Sequence, residues 1–483
     1  MKIGAFIAKV EWPVKGGDLE QEVTGVVSDS RLVLPGSVFV CVRGMVSDGH
    51  AFAEDAVERG AVLVVAEQEL RLDGRVGVMR VPCSRRALAE LARGFYGQVD
   101  EQLGLVGITG TNGKTSTSFM VQHLFQTVGV KTGLIGTIQY DVGSRVLPAL
   151  RTTPEADHLY RYLAEMVQGG CERAVMEVSS HAIDLERVHG LNFEVVVFTN
   201  LSPEHLDYHQ DMERYFGVKR RLFMQLKAGV GVAVVNVDDA WGRRVAEELG
   251  PVVIRVGEGE GADVRAHEIE VDGEGMRFEL VTPWGAGRVR LPLMGRFHVG
   301  NALAAVAVAG HAGVSFKQLK RGLREMVSVP GRLELVRRFR GRQVFVDYAH
   351  TPDALEKVLA AVRATVRGRL WVVFGCGGDR DRQKRGLMGA VAERLGDRVV
   401  LTSDNARSEE PAQICEEILA GCEEGERVEV VLDRREAIFY AMGALERGDV
   451  LLVAGKGHEA YQELRGTLIP IDDRDVVREW KRI

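Results

Sequence analysis

At 483 residues the chain is too long for a single hydrophobic core, so its length predicts several domains. The composition is that of an ordinary globular protein, with 46% hydrophobic and 27% charged residues. A net charge of only −6 argues against a general binder of nucleic acid or of anionic membranes, because such proteins are basic.

No stretch of the chain predicts a membrane segment. The apolar run in "MKIGAFIAKVEWP" is too short for a signal peptide, and no later run approaches the roughly 20 apolar residues that cross a bilayer. The 6 cysteines are scattered without C-x-x-C or zinc-ligand spacing. These features predict reduced thiols in a cytoplasmic protein, which we expect to be a monomer without a nucleic-acid partner or membrane insertion.

Short β-branched runs alternate with helical patterns, which predicts an α/β fold with mostly parallel sheets. Residues 37–44 and 61–67 predict strands, and "SRRALAELARGFYG" predicts an amphipathic helix that ends at Gly97. A second series follows in "LGLVGITGTNGKT", "RAVMEVSS", "EVVVFTNLS" and "GVAVVNVDD". A third follows in "QVFVDYAH", "RLWVVFGCGG", "DRVVLTSDN" and "DVLLVAGKGHE". We therefore predict three domains, over residues 1–98, 99–331 and 332–483.

The stretch "GITGTNGKTSTS" lies between an apolar strand and a helical pattern, the usual setting of a phosphate-binding loop. Its first glycine, Gly107, comes one place earlier than the common spacing before Lys114 requires. In such a loop, backbone N–H groups face phosphate oxygens, the lysine adds positive charge and the hydroxyl of Thr115 ligates Mg²⁺. A structural glycine turn is the alternative. The predicted ATP-binding residues of the loop are Gly110, Thr111, Asn112, Gly113, Lys114, Thr115 and Ser116.

Acidic and imidazole side chains follow the next predicted strands. Glu177 in "AVMEVSS" is the kind of acid that a P-loop ATPase places near its Mg²⁺, although a buried acid bonded to helix amides is the alternative. His205, Asp207 and His209 in "NLSPEHLDYH" are either functional residues or ordinary structural and surface residues. Ligands bind at the carboxyl ends of strands in open α/β sheets, so a functional role would place these groups near the loop.

Eight motifs, in this order, resemble the Mur ligase family, the ATP-dependent amide-forming enzymes of peptidoglycan precursor synthesis. They are "GTNGKTS", "EVSSHA", "NLSPEHLDYHQDMERYFGVKRRLF", "GRFHVGNALAA", "PGRLE", "DYAHTPDAL", "FGCGGDRD" and "VAGKGHE". The shortened loop is the form that this family uses. The resemblance implies an N-terminal UDP-sugar-binding α/β domain, a central P-loop ATPase domain and a C-terminal Rossmann-like domain. It also implies that ATP phosphorylates a carboxylate of the acceptor and that an amine attacks the acyl phosphate.

The resemblance also assigns the catalytic and nucleotide-binding residues. It implies that Lys219 in "YFGVKRRLF" is carbamylated, and that the resulting anion ligates Mg²⁺. Without the resemblance, this run of cations is simply a solvated helix face. The implied catalytic residues are Lys114, Glu177, His205 and Lys219, and the implied metal ligands are Thr115, Glu177, His205 and the carbamate of Lys219. The base and ribose of ATP are assigned to Asn301, Arg332 and Asp347, with a helix N-cap as the alternative for Asn301.

The tripeptide D-S-R in "VVSDSRLVLPGSVFVCVRG" resembles the uridine-diphosphate site of ligases that act on UDP-N-acetylmuramoyl dipeptide; a polar turn is the alternative. Arg187 would pair with a substrate carboxylate. Two residues before it, Leu185 stands where some family members carry an amide side chain. The residues assigned to this acceptor are Ser28, Ser30, Gly44, Met45, Val46, Ser47, Thr152, Thr153, Ser179 and Arg187.

The stretch "TSDNARSEEP" resembles the D-N-P-R motif of family members that add meso-2,6-diaminopimelate. Arg407 would bind the distal carboxylate, which lysine lacks, and Glu459 would bind the distal ammonium group. Ala406 replaces the usual proline, and L-lysine remains the alternative substrate. The residues assigned to the amino acid are Arg380, Asp404, Asn405, Ala406, Arg407, Gly455 and Glu459.

The resemblance thus implies three substrates: ATP, UDP-N-acetylmuramoyl-L-alanyl-D-glutamate and meso-2,6-diaminopimelate, with Mg²⁺ as cofactor. Other classes of protein share the loop, among them P-loop kinases, mechanical NTPases and binding proteins that have lost catalysis. Folate-polyglutamylating ligases share the central chemistry. The motifs of the first and third predicted domains argue against the kinases, the mechanical NTPases and the folate ligases. The retained residues Lys114, Thr115, Glu177, His205 and Lys219 argue against a binding protein that has lost catalysis.

Overall fold

The computed structural model describes residues 1–8, 10, 12–44, 47–423 and 425–481. The chain divides into two compact units. The first comprises residues 1–262 and 307–312, and the second comprises residues 263–306 and 313–483. The three-domain boundaries near residues 99 and 331 remain sequence-based predictions.

The first unit alternates strands and helices, as its β-branched runs predict. Its strands are β1 (Val14–Lys15), β2 (Gly25–Val27), β3 (Ser37–Val40), β4 (Leu63–Ala66), β5 (Gly77–Arg80), β6 (Gly104–Thr109), β7 (Thr132–Ile135), β8 (Gln139–Asp141), β9 (Val146–Pro148), β10 (Arg173–Glu177), β11 (Val195–Phe198), β12 (Val232–Asn236) and β13 (Val253–Gly257). Its helices are α1 (Ile3–Ile7), α2 (Ala53–Glu58), α3 (Ser84–Tyr96), α4 (Val99–Gln102), α5 (Lys114–Gln126), α6 (Ala156–Gln168), α7 (Ser180–Asp184), α8 (Leu206–His209), α9 (Met212–Arg220) and α10 (Ala240–Leu249).

Two mostly parallel sheets organise this unit. The smaller has the strand order β1-β5-β4-β3-β2, and only β1 runs antiparallel to its neighbour. In the larger, β13-β12-β11-β6-β10-β7 are parallel, and β8 and β9 add an antiparallel edge. The predicted helix α3 ends at Gly97, whose φ of 84° suits glycine. One buried apolar cluster includes residues of both sheets, such as Val40 and Ile135, so the first and second predicted domains share a core in this unit.

The second unit contains a meander, a second α/β layer and a hairpin. Its strands are β14 (Val264–Asp272), β15 (Gly275–Thr282), β16 (Gly285–Leu291), β17 (Glu334–Phe339), β18 (Arg342–Asp347), β19 (Leu370–Phe374), β20 (Arg398–Leu401), β21 (Val428–Val430), β22 (Val450–Ala454), β23 (Tyr461–Leu464) and β24 (Thr467–Pro470). Its helices are α11 (Phe297–His311), whose last residues count with the first unit, α12 (Phe316–Arg324), α13 (Pro352–Arg363), α14 (Gln383–Leu395), α15 (Pro411–Leu419), α16 (Arg434–Ala444) and α17 (Asp473–Glu479).

The main sheet of the second unit has the order β17-β18-β22-β19-β20-β21 and is parallel except for the pair β17 and β18. Its buried strands β18, β19, β20 and β22 are the four that the sequence predicts. The antiparallel pairs β14/β15 and β15/β16 have no counterpart in the sequence-based strand list. No helix among the described residues is both long and apolar enough to cross a membrane. All six cysteines are free thiols, as predicted, whereas the cytoplasmic location and the monomeric state remain predictions.

Candidate functional site

The loop between β6 and α5 has the backbone of a phosphate-binding loop. Gly113 precedes α5 with a φ of 88°, a left-handed conformation that suits glycine. At Gly110, φ is 142°, and an added Cβ atom would lie 1.9 Å from Oγ1 of Thr199. The loop therefore requires glycine at both positions. It places Lys114 at the first position of α5, with Thr115 and Ser116 buried behind it.

Two lysine side chains meet at one carbonyl oxygen of this loop. Nζ of Lys114 donates to O of Gly110 at 2.9 Å and to O of Thr111 at 2.7 Å. Nζ of Lys219, from α9, donates to the same oxygen of Gly110 at 2.8 Å. The structure thus brings together two residues that are 105 positions apart in sequence and that were both predicted to be catalytic.

Lys219 is not part of a solvated basic face. Its side chain is buried, with 1% of the residue exposed, and its ammonium group lies 4.7 Å from the ring centre of Tyr215. The neighbouring Arg220 is exposed and Arg221 is half-buried, and both pair with acids. Burial, followed by repulsion from Lys114, holds the pKa of Lys219 well below its ordinary value. A buried lysine with a lowered pKa carries a nucleophilic neutral amine more readily than an exposed lysine.

The predicted acid Glu177 lies beside the loop threonine. It is fully buried at the end of β10, and Oγ1 of Thr115 donates to its Oε2 at 2.9 Å. Thr137, which follows β7, donates to the same carboxylate from its backbone N at 2.9 Å and from its hydroxyl at 3.0 Å. The carboxylate is therefore bonded by the hydroxyl of Thr115 in the first turn of α5 and by two groups of Thr137 after β7, rather than by helix amides.

The histidines form a ring cluster near this site. The rings of His181 and His205 are 5.0 Å apart, and His209 is buried with Nε2 2.9 Å from Oγ of Ser180. Burial lowers the pKa of His205, Glu204 opposes this shift, and Lys114 and Lys219 lower the pKa further, so the imidazole lies within the field of the two lysines. Asp207 is exposed. His205 is consequently the member of this predicted group whose surroundings fit a role at the loop.

The donor atoms beside the loop suit Mg²⁺. A threonine hydroxyl and a buried carboxylate, 2.9 Å apart, are oxygen ligands of the type that this ion prefers. His205 offers nitrogen instead, and its side chain is 46% exposed. In the part of the chain that the structure describes, no group of three His, Cys, Asp or Glu side chains is spaced to hold a metal ion. The residues that fit Mg²⁺ best are therefore Thr115 and Glu177.

The residues predicted to contact the acceptor peptide adjoin Glu177. Oγ1 of Thr153 donates to the backbone oxygen of Glu177 at 2.9 Å and accepts from N of Ser179 at 3.2 Å. Nη1 of Arg187 donates to O of Thr153 at 3.0 Å, and Oγ1 of Thr152 is 3.1 Å from Oγ1 of Thr137. Of these four predicted residues, Thr153 bonds to Glu177 directly, and the other three are connected to it through Thr153 or Thr137.

The residues predicted to contact the UDP-sugar lie in the smaller sheet. Both N and Oγ of Ser28 donate to Oδ2 of Asp157 at 2.9 Å, and Ser30 begins a 3₁₀ turn in which the backbone N of Arg31 donates to the side chain of Asp29. The backbone N of Gly44 donates to O of Ser47 at 2.9 Å. Met45 and Val46 lie outside the described residues. Ser28 thus bonds to an acid at the start of α6, and its contact with a nucleotide remains a prediction.

The three residues predicted to bind the base and ribose belong to the second unit. Asn301 lies inside α11, with its amide 3.4 Å from Nδ1 of His298, so the N-cap interpretation is wrong. The guanidinium group of Arg332 stacks 4.5 Å from the ring centre of Tyr348. Asp347 ends β18, and its carboxylate accepts backbone N–H groups from Leu333 at 2.6 Å and from Ala349 at 2.7 Å.

Asp347→Asn should change the pH dependence of stability. Complete burial raises the pKa of Asp347 to about 6, against lowering by Arg332 and by its two backbone donors. The folded chain then binds a proton that the unfolded chain has already released, so this group's contribution falls as pH rises between about 4 and about 6. Relative to the variant, the wild type should lose up to about 3 kcal/mol over this range. Thermal unfolding of both proteins at several pH values measures the difference between their free energies of unfolding. A difference that does not change with pH would contradict the raised pKa of Asp347.

The residues predicted to bind the amino acid converge at strand ends of the second unit's main sheet. Nδ2 of Asn405, after β20, donates to Oε2 of Glu459 at 2.9 Å. Nη1 of Arg407 donates to O of Gly378 at 2.7 Å, in the loop after β19 that also carries Arg380. Gly455 has a φ of 108°, and an added Cβ atom would lie 2.8 Å from Oδ2 of Asp404. Ala406 is buried between these groups, whereas Arg380 is exposed.

This pocket also contains a buried cation that was not predicted from the sequence. Nζ of Lys456 is fully buried and donates at 3.1 Å both to Oδ1 of Asn405 and to Oε2 of Glu459. The acid predicted to bind a distal ammonium group is therefore already paired with a lysine. The spacing of the two residues, three positions apart in "GKGHE", was the available signal. Thr137 was also missed, although it follows β7 as Glu177 follows β10.

Three known protein families match the chain. The Mur ligase family catalytic domain matches residues 22–96, the Mur ligase middle domain matches residues 108–309, and the glutamate ligase domain of Mur ligases matches residues 331–457. Curated relatives include UDP-N-acetylmuramoyl-L-alanyl-D-glutamate–2,6-diaminopimelate ligases. The one from Geobacillus thermodenitrificans is 45% identical over 99% of both chains. The one from Bacillus velezensis is 44% identical over 96% of this chain and 95% of the relative.

Solved structures of Mur ligases are also similar to this chain. A structure of UDP-N-acetylmuramoyl-L-alanyl-D-glutamate–2,6-diaminopimelate ligase superimposes with a TM-score of 0.70 and 34% identity, covering 99% of this chain and 98% of the other. The MurF ligase from Thermotoga maritima in complex with ADP, at 20% identity and a TM-score of 0.63, shares the fold over 94% of this chain and 96% of its own. Because the family matches extend through most of the chain and the identities extend over its whole length, the chain belongs to the Mur ligase family.

Proposed function

We propose that the chain is an ATP-dependent ligase that joins meso-2,6-diaminopimelate to UDP-N-acetylmuramoyl-L-alanyl-D-glutamate. The observation that carries this proposal is the 45% identity, over 99% of both chains, to a ligase whose name states this reaction. The convergence of predicted residues at the loop and at the strand ends of the second unit supports it.

The proposed chemistry has two steps. A carboxylate oxygen of the acceptor attacks the γ-phosphorus of ATP, the bond to the β-phosphate oxygen breaks, and ADP leaves. The amine then attacks the acyl carbon, a C–N bond forms, the C–O bond to phosphate breaks, and the nitrogen loses a proton. The first step is required because a carboxylate resists attack by an amine until its oxygen becomes a good leaving group.

The residues at the loop suit the first step. Lys114 is placed to neutralise negative charge on the transferred phosphoryl group, and the N–H groups at the start of α5 favour anionic oxygens. Thr115 and Glu177 would hold Mg²⁺, which when bound supplies further neutralisation of phosphate charge. We also propose that Lys219 carries a carbamate, which would replace one of two neighbouring cations by an anion.

A kinase is the alternative from another class, and product analysis separates the two. The ligase should release ADP and phosphate only when UDP-N-acetylmuramoyl-L-alanyl-D-glutamate and the amino acid are both present. It should prefer meso-2,6-diaminopimelate to L-lysine. Equal ADP release with water as the only acceptor, without a peptide product, would overturn the proposal. A phosphorylated product that persists when the amine is present would support the kinase instead.

A further inference from the structure

Three arginine side chains of the first unit surround one carboxylate. Nη1 of Arg151 lies 2.5 Å from Oε1 of Glu155, and Nη2 of Arg187 lies 2.9 Å from the same oxygen. Nη1 of Arg85 lies 3.7 Å from Oε2, which is too long for a hydrogen bond. Three positive charges therefore face a single negative charge.

The cluster contains more positive charges and hydrogen-bond donors than its one carboxylate can pair. Arg85 and Arg187 are mostly buried, with 19% and 11% of their side chains exposed. Nη1 of Arg85 and Nε of Arg187 are buried and have no hydrogen-bond partner among the described residues. Burial lowers the pKa of Arg187, and repulsion from Arg151 and Arg85 adds to this effect, whereas Glu155 opposes it. Buried guanidinium N–H groups without acceptors cost free energy, which a second anion would recover.

The cluster lies between the two groups of residues predicted to bind the acceptor. Arg85 is the second residue of α3, and its Nη2 donates to the backbone oxygen of Arg43 at 2.7 Å, next to Gly44. On the other side, Arg187 donates to O of Thr153, which is bonded to Glu177. A ligand that extends from Gly44 toward the phosphate-binding loop would therefore pass Arg85.

We propose that Arg85 is a substrate-binding residue that, together with Arg187, holds the carboxylate of the acceptor's terminal glutamate that does not react. This inference rests on the proposed function. Glu155 acts as a positioning residue, because its carboxylate fixes Arg151 and Arg187 and leaves donors of Arg85 and Arg187 for the incoming anion. The cluster thereby favours an acceptor with two carboxylates, one held by arginine and one available for activation.

Arg85→Met tests this proposal through binding of the acceptor in the absence of ATP, measured by calorimetry. The dissociation constant of UDP-N-acetylmuramoyl-L-alanyl-D-glutamate should rise about 10-fold, since a charge-assisted contact is lost. An acceptor whose non-reacting carboxylate is replaced by a carboxamide should bind the wild type more weakly. The dissociation constant of this analogue should differ by less than about 2-fold between the wild type and Arg85→Met. Arg85→Lys should recover part of the affinity for the acid but not for the carboxamide.

Arg86→Met is the matched control, because Arg86 is the next residue of α3 and is exposed. It should bind both acceptors as the wild type does. If Arg85→Met weakens binding of both acceptors equally, the side chain only supports the backbone at Arg43, and the proposal is wrong. Unchanged binding of the acid by Arg85→Met would also overturn it. If the wild type binds neither acceptor, the proposed function itself fails. That outcome differs from the two results that would overturn the role of Arg85 alone.

Discussion

Lys219→Ala should lower the rate of peptide formation by about 1,000-fold or more, a loss comparable to removal of an essential charge-stabilising group in other active sites. The reason lies in the surroundings of this lysine. It is buried, its pKa is held low, and its ammonium shares the oxygen of Gly110 with Lys114. Two cations at one carbonyl repel each other, and conversion of Lys219 to a carbamate would remove that repulsion.

Three measurements test this prediction. Mass spectrometry of the native protein should show the mass of one bound CO₂, which should disappear in Lys219→Ala. Short carboxylates such as acetate should restore part of the variant's activity, because they replace the missing anion in the cavity. Arg220→Ala is the matched control, since it removes an exposed cation from the adjacent position and should leave activity within about 2-fold of the wild type. Full activity of Lys219→Ala would refute the proposed role.

The phosphate-binding loop and the strand ends beside it are the parts of the site that local sequence patterns predict. Local patterns predict the strand that ends at Thr109, the helix that begins at Lys114 and the glycines between them, because these depend on residues close in sequence. The strand ends that carry Glu177 and Asp347 are also predicted, since buried parallel strands form long apolar runs. Both acids lie where that analysis places them.

The partners of these residues could not be predicted in the same way. Nothing in the local sequence indicates that Lys219 shares an oxygen with Lys114, or that Lys456 is buried and bonds to Asn405, 51 positions away. Such contacts depend on which elements the fold brings together and on how deeply it buries them. The meander β14–β16 was missed for a related reason, because its alternating polar and apolar residues lack the apolar runs that identified the parallel strands.

The preference for meso-2,6-diaminopimelate over L-lysine should fall about 100-fold in Arg407→Met and about 10-fold in Arg407→Lys. The guanidinium group of Arg407 is anchored by the oxygen of Gly378 at 2.7 Å and by Glu463 at 3.4 Å from Nε. An anchored guanidinium group can offer two parallel N–H donors to a carboxylate, whereas lysine at this position offers only a point charge.

The ratio of kcat/KM for the two amino acids measures this preference, because that ratio compares the two transition states directly. Arg465→Met is the matched control, since its backbone N donates to O of Arg407 while its side chain is 70% exposed. It should leave the ratio unchanged.

The loss in Arg407→Met should appear in the reaction with meso-2,6-diaminopimelate. The slow reaction with L-lysine should stay the same or improve, because lysine has no distal carboxylate to pair with the arginine. A variant that keeps the wild-type ratio would show that another group, such as the buried Lys456, selects the amino acid.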